Sequence, residues 1–271
     1  MTEAGKSREP HPFDSAISLA PLGEGRFRGH TSEKYWNFVG PFGGITAATA
    51  LNGILQRDDR IGDPLSLTVS FMAPIKAGAF EVETKIVRSN RSTQHWSVQV
   101  VQDGEPVLGA ISVFALRRDT WGLREAVPPE APPPQACKRF EPRLQIVWPR
   151  MYEMRYARGS FGVENPDSVT HAWLTDVPPR PLDHASLTSI CDAFFPRIFL
   201  RRPHMAPIAT VSLNVYYHVD AGELAAEGSA HVLCVAKAQV FNKGYYDQEG
   251  QVWGRDGKLL ATTQQVAWYK E

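Results

Sequence analysis

The chain has 271 residues, enough for one large domain or two of about 100–150 residues each. Apolar types make up 43% and charged types 21%, ordinary globular usage, so sizeable cores can be buried. Lys and Arg number 29, as do Asp and Glu, and this neutrality excludes the electrostatic footprint of a nucleic-acid binder.

The chain opens on MTEAGKSREPHPFD, which is polar and lacks the apolar core of a signal peptide. Residues 1–24 read as an N-terminal arm. No stretch approaches the ~18 apolar residues of a membrane helix, so a cytoplasmic protein with no membrane span is expected. Cys137, Cys191 and Cys234 are scattered without CxxC spacing, which indicates neither a zinc site nor a disulfide framework. HExxH and GxSxG are absent too, so no metal, no cofactor and no serine-hydrolase elbow are expected.

The first helix is predicted over GGITAATALNGILQ, where Ala47, Ala50, Leu51, Ile54 and Leu55 form one apolar stripe. TVSFMAPIKAG, from Thr68 to Gly78, follows as a strand ending in a glycine turn. FEVETKIVRS, HWSVQVVQDG and PVLGAISVFAL come next. Within them Val82–Ile86 and Trp96–Val100 alternate apolar with polar, as half-buried antiparallel strands do. Asp103-Gly104 marks a hairpin turn. VPPEAPPP, from Val127 to Pro134, cannot enter a helix or a central strand and reads as a linker. The expected division is therefore a first repeat over 25–120, a proline-rich linker over 121–147 and a second repeat over 148–271.

DVPPRPLD, from Asp176 to Asp183, is a loop leading into a second helix, ASLTSICDAFFPRIF, with Asp183 as its N-cap. Leu187, Ile190, Cys191, Phe194, Phe195 and Ile198 keep helical spacing. Beyond it come TVSLNVYYHVDAG, GSAHVLCVAKAQVFN, QVWGRDG and KLLATTQQVAWYK, with a turn at Asp256-Gly257. Both parts thus read helix, strand with a glycine turn, alternating strand, Asp-Gly turn, final strand. Thr-Val-Ser recurs at 68–70 and 210–212. A duplication follows from the shared order. One helix followed by antiparallel strands gives an α+β fold, each sheet wrapped around its helix.

GPFGG from Gly40 to Gly44, TVSF, QDGEPVLGAISVF, Cys191-Asp192-Ala193, Ile208-Ala209-Thr210 and DGKLLATTQQ together resemble the type II acyl-CoA thioesterases. The resemblance spans residues 25 to 271 and implies a double hot-dog, two hot-dog repeats in one chain, acting on acyl-CoA. Carried over, the family's water-holding Asp, Thr and Gln fall on Asp192, Thr210 and Gln265. Gln264 stands beside Gln265, and a one-residue slip in the last strand would exchange them.

The chemistry suits these residue types. A thiol leaves with a pKa of about 8.5, so one carboxylate base with positioning groups suffices, without a nucleophilic serine. Asp192 stands beside apolar Phe194 and Phe195, where desolvation strengthens a base. Pro196, four residues on, cannot donate to the Asp192 carbonyl, so the helix should bend or end just past Asp192. Gly43 and Gly44 open the first helix, where free N–H groups suit an oxyanion or a carboxylate. Arg201, Arg202 and His204 form a basic loop able to meet CoA phosphates, as does Lys243 in another turn. Asp183-His184 reads as capping, and Cys191 as core.

Counting back the 18 residues that separate Asp192 from Thr210, the matching position before Thr68 is Ala50 (68 − 18), and the first helix holds no Asp or Glu. One site per chain is expected. A non-catalytic acyl-CoA binding protein and a hot-dog hydratase stay open as alternatives. So does pairing of these pseudo-dimeric chains into a homo-dimer or tetramer.

Overall fold

The computed structural model describes residues 9–142 and 146–270, so the first eight residues of the expected arm and three of the expected linker lie outside the described residues. The first half holds α1 (Pro12–Ala16), β1 (Ala20–Gly23), β2 (Arg26–His30), α2 (Gly43–Leu55), β3 (Asp63–Phe71), β4 (Ala79–Ser89), β5 (Thr93–Gln102) and β6 (Glu105–Ala115). The second half holds β7 (Lys138–Arg139), β8 (Tyr152–Arg158), β9 (Thr170–Asp176), α3 (His184–Ile190), α4 (Ile198–Arg201), β10 (Ile208–Tyr217), α5 (Ala221–Glu227), β11 (Val232–Lys237), β12 (Phe241–Asn242), β13 (Tyr245–Trp253) and β14 (Leu259–Tyr269). No helix among the described residues is long and apolar enough to cross a membrane.

All strands join one antiparallel sheet in the order β1-β2-β4-β5-β6-β3-β10-β14-β13-β11-β9-β8-β7, with β12 paired to β13. The order β2-β4-β5-β6-β3 of the first half recurs as β9-β11-β13-β14-β10, and the halves meet where β3 pairs with β10. This is a double hot-dog. The duplication read from element order is thereby visible as topology. Each half curls around its helix, and α2 packs against α3. Small residues explain that closeness. Ala47, Ala48 and Ala50 are fully buried, so α2 is covered on nearly every side, beyond the single stripe its sequence suggested.

Local chemistry sets the turns. Asp103 (φ 54°) and Gly104 (φ 83°) both take the left-handed backbone that a two-residue hairpin between β5 and β6 requires. Lys243 (φ 49°) and Gly244 (φ 78°) do the same between β12 and β13. Within the expected linker, residues 127–134 join no strand, but β7 pairs with β8, so the linker lies against the second half and its later part belongs to that half's sheet. Arg124 sits over the Trp253 ring, and Trp173 Nε1 donates to Pro132 O at 2.8 Å. The expected arm also folds in part, with Phe13 of α1 fully buried.

The second helix departs from expectation. Its apolar spacing suggested one helix through Phe199, yet α3 ends at Ile190 and α4 begins at Ile198. Asp192 N–H bonds Ser189 O at 3.2 Å and Ala193 N–H bonds Ile190 O at 2.9 Å, three-residue bonds that tighten the chain out of the α-helix. The break that Pro196 was expected to cause just past Asp192 falls just before it instead.

Candidate active site

Asp192 occupies this break. Asp183 caps α3 through a capping box with Ser186, which fixes where the helix starts and hence where it runs out. The Asp192 side chain is only 7% exposed. Gln265 Nε2 donates to Asp192 Oδ1 at 2.9 Å and to Cys191 O at 3.3 Å. Gly44 N–H, in the first turn of α2, also faces the carboxylate. Burial pushes the Asp192 pKa up to about 7, while the Gln265 and Gly44 donors pull it down and prevent a larger rise.

The two glycines are required by proximity. A Cβ on Gly43 would lie 2.7 Å from Asp192 Oδ2. One on Gly44 would lie 2.5 Å from Ser189 O. α2 has no side-chain N-cap, because Phe42 occupies that position. The carboxylate of Asp192 is thus an anion that its N-terminus meets.

Strand register decides the rest. In β14, Ala261, Thr263, Gln265 and Ala267 are buried while Gln264 is exposed, so Gln265 faces the helices. Thr210 reaches the same face by an irregularity. It pairs with Ala267, whereas Ser212 pairs with Val266, so Val211 is an extra residue bulged out of the ladder. Directly paired residues share a sheet face, which puts Thr210 beside inward Ala267, two positions from Gln265 on β14. Thr210 is half-buried there. Regular alternation from inward Leu213 would have turned Thr210 outward.

The basic loop serves two ends. Arg201 Nη1 donates to Asn165 O at 3.0 Å and also to Pro166 O, bracing the loop before β9. Arg202, His204 and Lys270 line a cavity of about 330 Å³ together with Ile198 and Tyr269. Tyr269 lies four residues beyond Gln265 on β14, roughly 13 Å along the strand at ~3.3 Å per residue. His184 is buried against Val219 O at 3.3 Å and makes no hydrogen bond or ion pair to an acid among the described residues, in keeping with a structural reading of Asp183-His184. Cys191 is fully buried, and burial raises its thiol pKa well above the ordinary value. No group of three or more His, Cys, Asp or Glu side chains able to hold a metal ion occurs among the described residues.

Residues 32–115 match the model of the acyl-CoA thioesterase N-terminal domain, and residues 124–269 that of the acyl-CoA thioesterase C-terminal domain. The chain belongs to the type II acyl-CoA thioesterase family. A conserved hot-dog protein of unknown function from Alicyclobacillus acidocaldarius is 45% identical over 97% of this chain and 99% of its own, with a TM-score of 0.94. The tesB protein of Mycobacterium avium subs. paratuberculosis is 19% identical over 96% of this chain and 98% of its own, with a TM-score of 0.78. An acyl-CoA thioesterase II, TesB2, from Mycobacterium marinum shares the fold at 15% identity and a TM-score of 0.77, covering 95% of this chain and 98% of its own. No curated protein sequence matches the chain.

This thioesterase-family chain also holds inward polar groups that its sequence did not single out. Tyr246 and Gln248 of β13 are both buried and face the helices beside Ala267 and Gln265. The only signal was period-two alternation through Tyr246, Gln248, Gly250 and Val252, which the sequence reading began only at Gln251. Arg197 is wholly buried and donates to Phe195 O, Ser168 O, Ala236 O and Thr170 Oγ1. It ties the segment after Asp192 to the edges of β9 and β11.

Proposed function

We propose that the protein hydrolyses acyl-CoA thioesters to the free acid and CoA, with a water activated by Asp192. One observation carries this reading. A buried carboxylate, poised near neutrality, is held by an amide donor and a helix N-terminus. Such a group is an efficient base near neutral pH, because a substantial fraction is ionised and that form binds a proton readily.

In this reading Thr210 and Gln265 hold the water against Asp192. The carboxylate takes a proton as the water oxygen bonds to the thioester carbonyl carbon. The tetrahedral intermediate then collapses, the C–S bond breaks, and the proton on Asp192 passes to the departing thiolate. No acyl-enzyme forms. Cys191 is excluded as a nucleophile by its burial and raised pKa. The nucleotide end of CoA would lie towards Arg202, His204 and Lys270, whose cavity includes Tyr269, four residues beyond Gln265 on β14. Arg201, held by Asn165 O and Pro166 O, braces the neighbouring loop.

The test is a panel of acyl-CoAs from C2 to C18, followed with a thiol-trapping reagent, and a single turnover in ¹⁸O-labelled water. Label in the first acid released is expected. Unlabelled first-turnover acid would make Asp192 a nucleophile, and no turnover across the panel would leave a binding protein.

A further inference from the structure

Gln265 uses both hydrogens of its side-chain amide, one on Asp192 Oδ1 and one on Cys191 O. Its Oε1 accepts nothing among the described residues. An amide anchored on one side only can turn over. Turned over, Gln265 would present an oxygen to the carboxylate in place of a donor, and the hold on Asp192 would be lost.

Gln248 stands directly across from Gln265 in the antiparallel β13–β14 pair. It is 5% exposed, and its amide has no hydrogen-bond partner among the described residues. The amide is not among the fully enclosed side-chain groups that lack a partner, so it keeps some contact with solvent and can meet a neighbour directly or through water. Directly paired residues have Cβ atoms roughly 4.5–5.5 Å apart, well within reach of a Gln side chain or of one intervening water. The other polar side chains on that face, Tyr246 and Thr263, are not directly paired with Gln248, so Gln265 is its nearest cross-strand partner. Gly250, next along the strand, is covered by the Phe194 ring, and Ala267 lies diagonally opposite.

We propose that Gln248 is a positioning residue, donating to Gln265 Oε1 directly or through one water and so keeping Gln265 Nε2 turned towards Asp192. The inference rests on the proposed role of Asp192 but is testable without it. Tyr152, Tyr246 and Cys191 are the titratable groups that act on or near Asp192. Burial raises all three well above their ordinary values, so none changes charge near neutrality. The Asp192 titration is therefore a clean reporter of the Gln265 hydrogen bond.

Gln248→Met keeps the length and removes the donor. In the unliganded protein, the Asp192 carboxyl followed by NMR should titrate about half a pH unit or more higher than in the parent. Turnover of the best acyl-CoA should fall roughly 5–20-fold in kcat with KM little changed. In a Gln265→Met background the same substitution should add nothing, because Gln248 acts through Gln265. Should Gln248→Met fail to fold, Gln248→Asn withdraws the amide by one methylene and carries the same measurements. An unmoved Asp192 midpoint, or effects that multiply in the double variant, would overturn the proposal. Loss of all acyl-CoA turnover in the parent with the NMR shift still present would instead remove only the proposed reaction.

Discussion

Ser70 and Ser212 lie directly opposite one another across the β3–β10 seam, and they are also equivalent positions of the two Thr-Val-Ser triplets. The repeat offset is 142 residues, whether taken as 210 − 68 or as 212 − 70. An element paired with its own equivalent marks a two-fold axis, so the pseudo-symmetry of the chain passes between these serines. Under that offset Leu213 corresponds to Phe71. Their partners, Gln265 and Leu108, correspond in turn. The first repeat therefore has Leu108 where the second has Gln265. Its Thr68 pairs with exposed Ile111 on the outer face, because β3 has no bulge at the position of Val211. With no acid in α2 either, the symmetry-related location lacks the whole set. Titration with a non-hydrolysable acyl-CoA thioether should give one tight site per chain. Two sites that lose turnover independently on mutation would show the repeats to be functionally equal.

Asp192→Asn retains shape and hydrogen-bonding volume but no basicity. We expect kcat to drop by roughly 10²–10⁴-fold with the fold preserved. Activity within threefold of the parent would take Asp192 out of the reaction.

The pH dependence follows from the same carboxylate. A base must be deprotonated to act, so kcat/KM should climb as pH rises through about 7 and then level off. Gln265→Met removes a donor that favours the ionised form, so its midpoint should move upward. A profile already flat from pH 5 would mean that the carboxylate is ionised throughout.

Gly43 and Gly44 separate function from stability. An alanine methyl at Gly43 would press on Asp192 Oδ2, so Gly43→Ala should cost about 10–100-fold in kcat with little change in Tm. At Gly44 the methyl would strike the backbone oxygen of Ser189 and the Phe42 ring. Gly44→Ala should therefore destabilise the fold by about 1–3 kcal/mol. Thermal scans and initial rates on both variants check the contrast, and identical behaviour would contradict it.

A second buried carboxyl makes a separate prediction. Asp176 is 3% exposed, its Oδ1 and the buried Tyr35 hydroxyl have no hydrogen-bond partner among the described residues, and burial raises its pKa to about 7. An acid with a raised folded pKa binds its proton more tightly when folded. Its ionisation therefore costs stability, a cost absent below the unfolded value of 3.8 and complete above about 7. Asp176→Asn should stabilise the protein by about 1–3 kcal/mol at pH 8.5 and change little at pH 4. Equal effects at both pH values in unfolding scans would show that Asp176 does not titrate in this window.

The linear sequence alone determined what depends on neighbours along the chain. Apolar alternation fixed β4 and β5, the Asp103-Gly104 turn needed only its own backbone preferences, and Asp183 capped α3 by local hydrogen bonding. Element order repeated twice was enough to imply the duplicated fold, and the residues of Asp192, Thr210 and Gln265 were legible through family resemblance. Tertiary structure decided which way side chains turn. Gln264 and Gln265 are chemically identical in the sequence, and only the pairing of β14 with β10 and β13 puts one in solvent and one beneath Asp192. The bulge at Val211 that turns Thr210 inward, and the burial of Gln248, likewise belong to contacts between strands distant in sequence. The helical stripe through Ile198 misled for the same reason. Phe194, Phe195 and Ile198 are buried as the stripe implied, but the sheet and the aromatic cluster around Phe195 cover them in an interrupted chain. Burial has no period of its own once tertiary neighbours supply the cover.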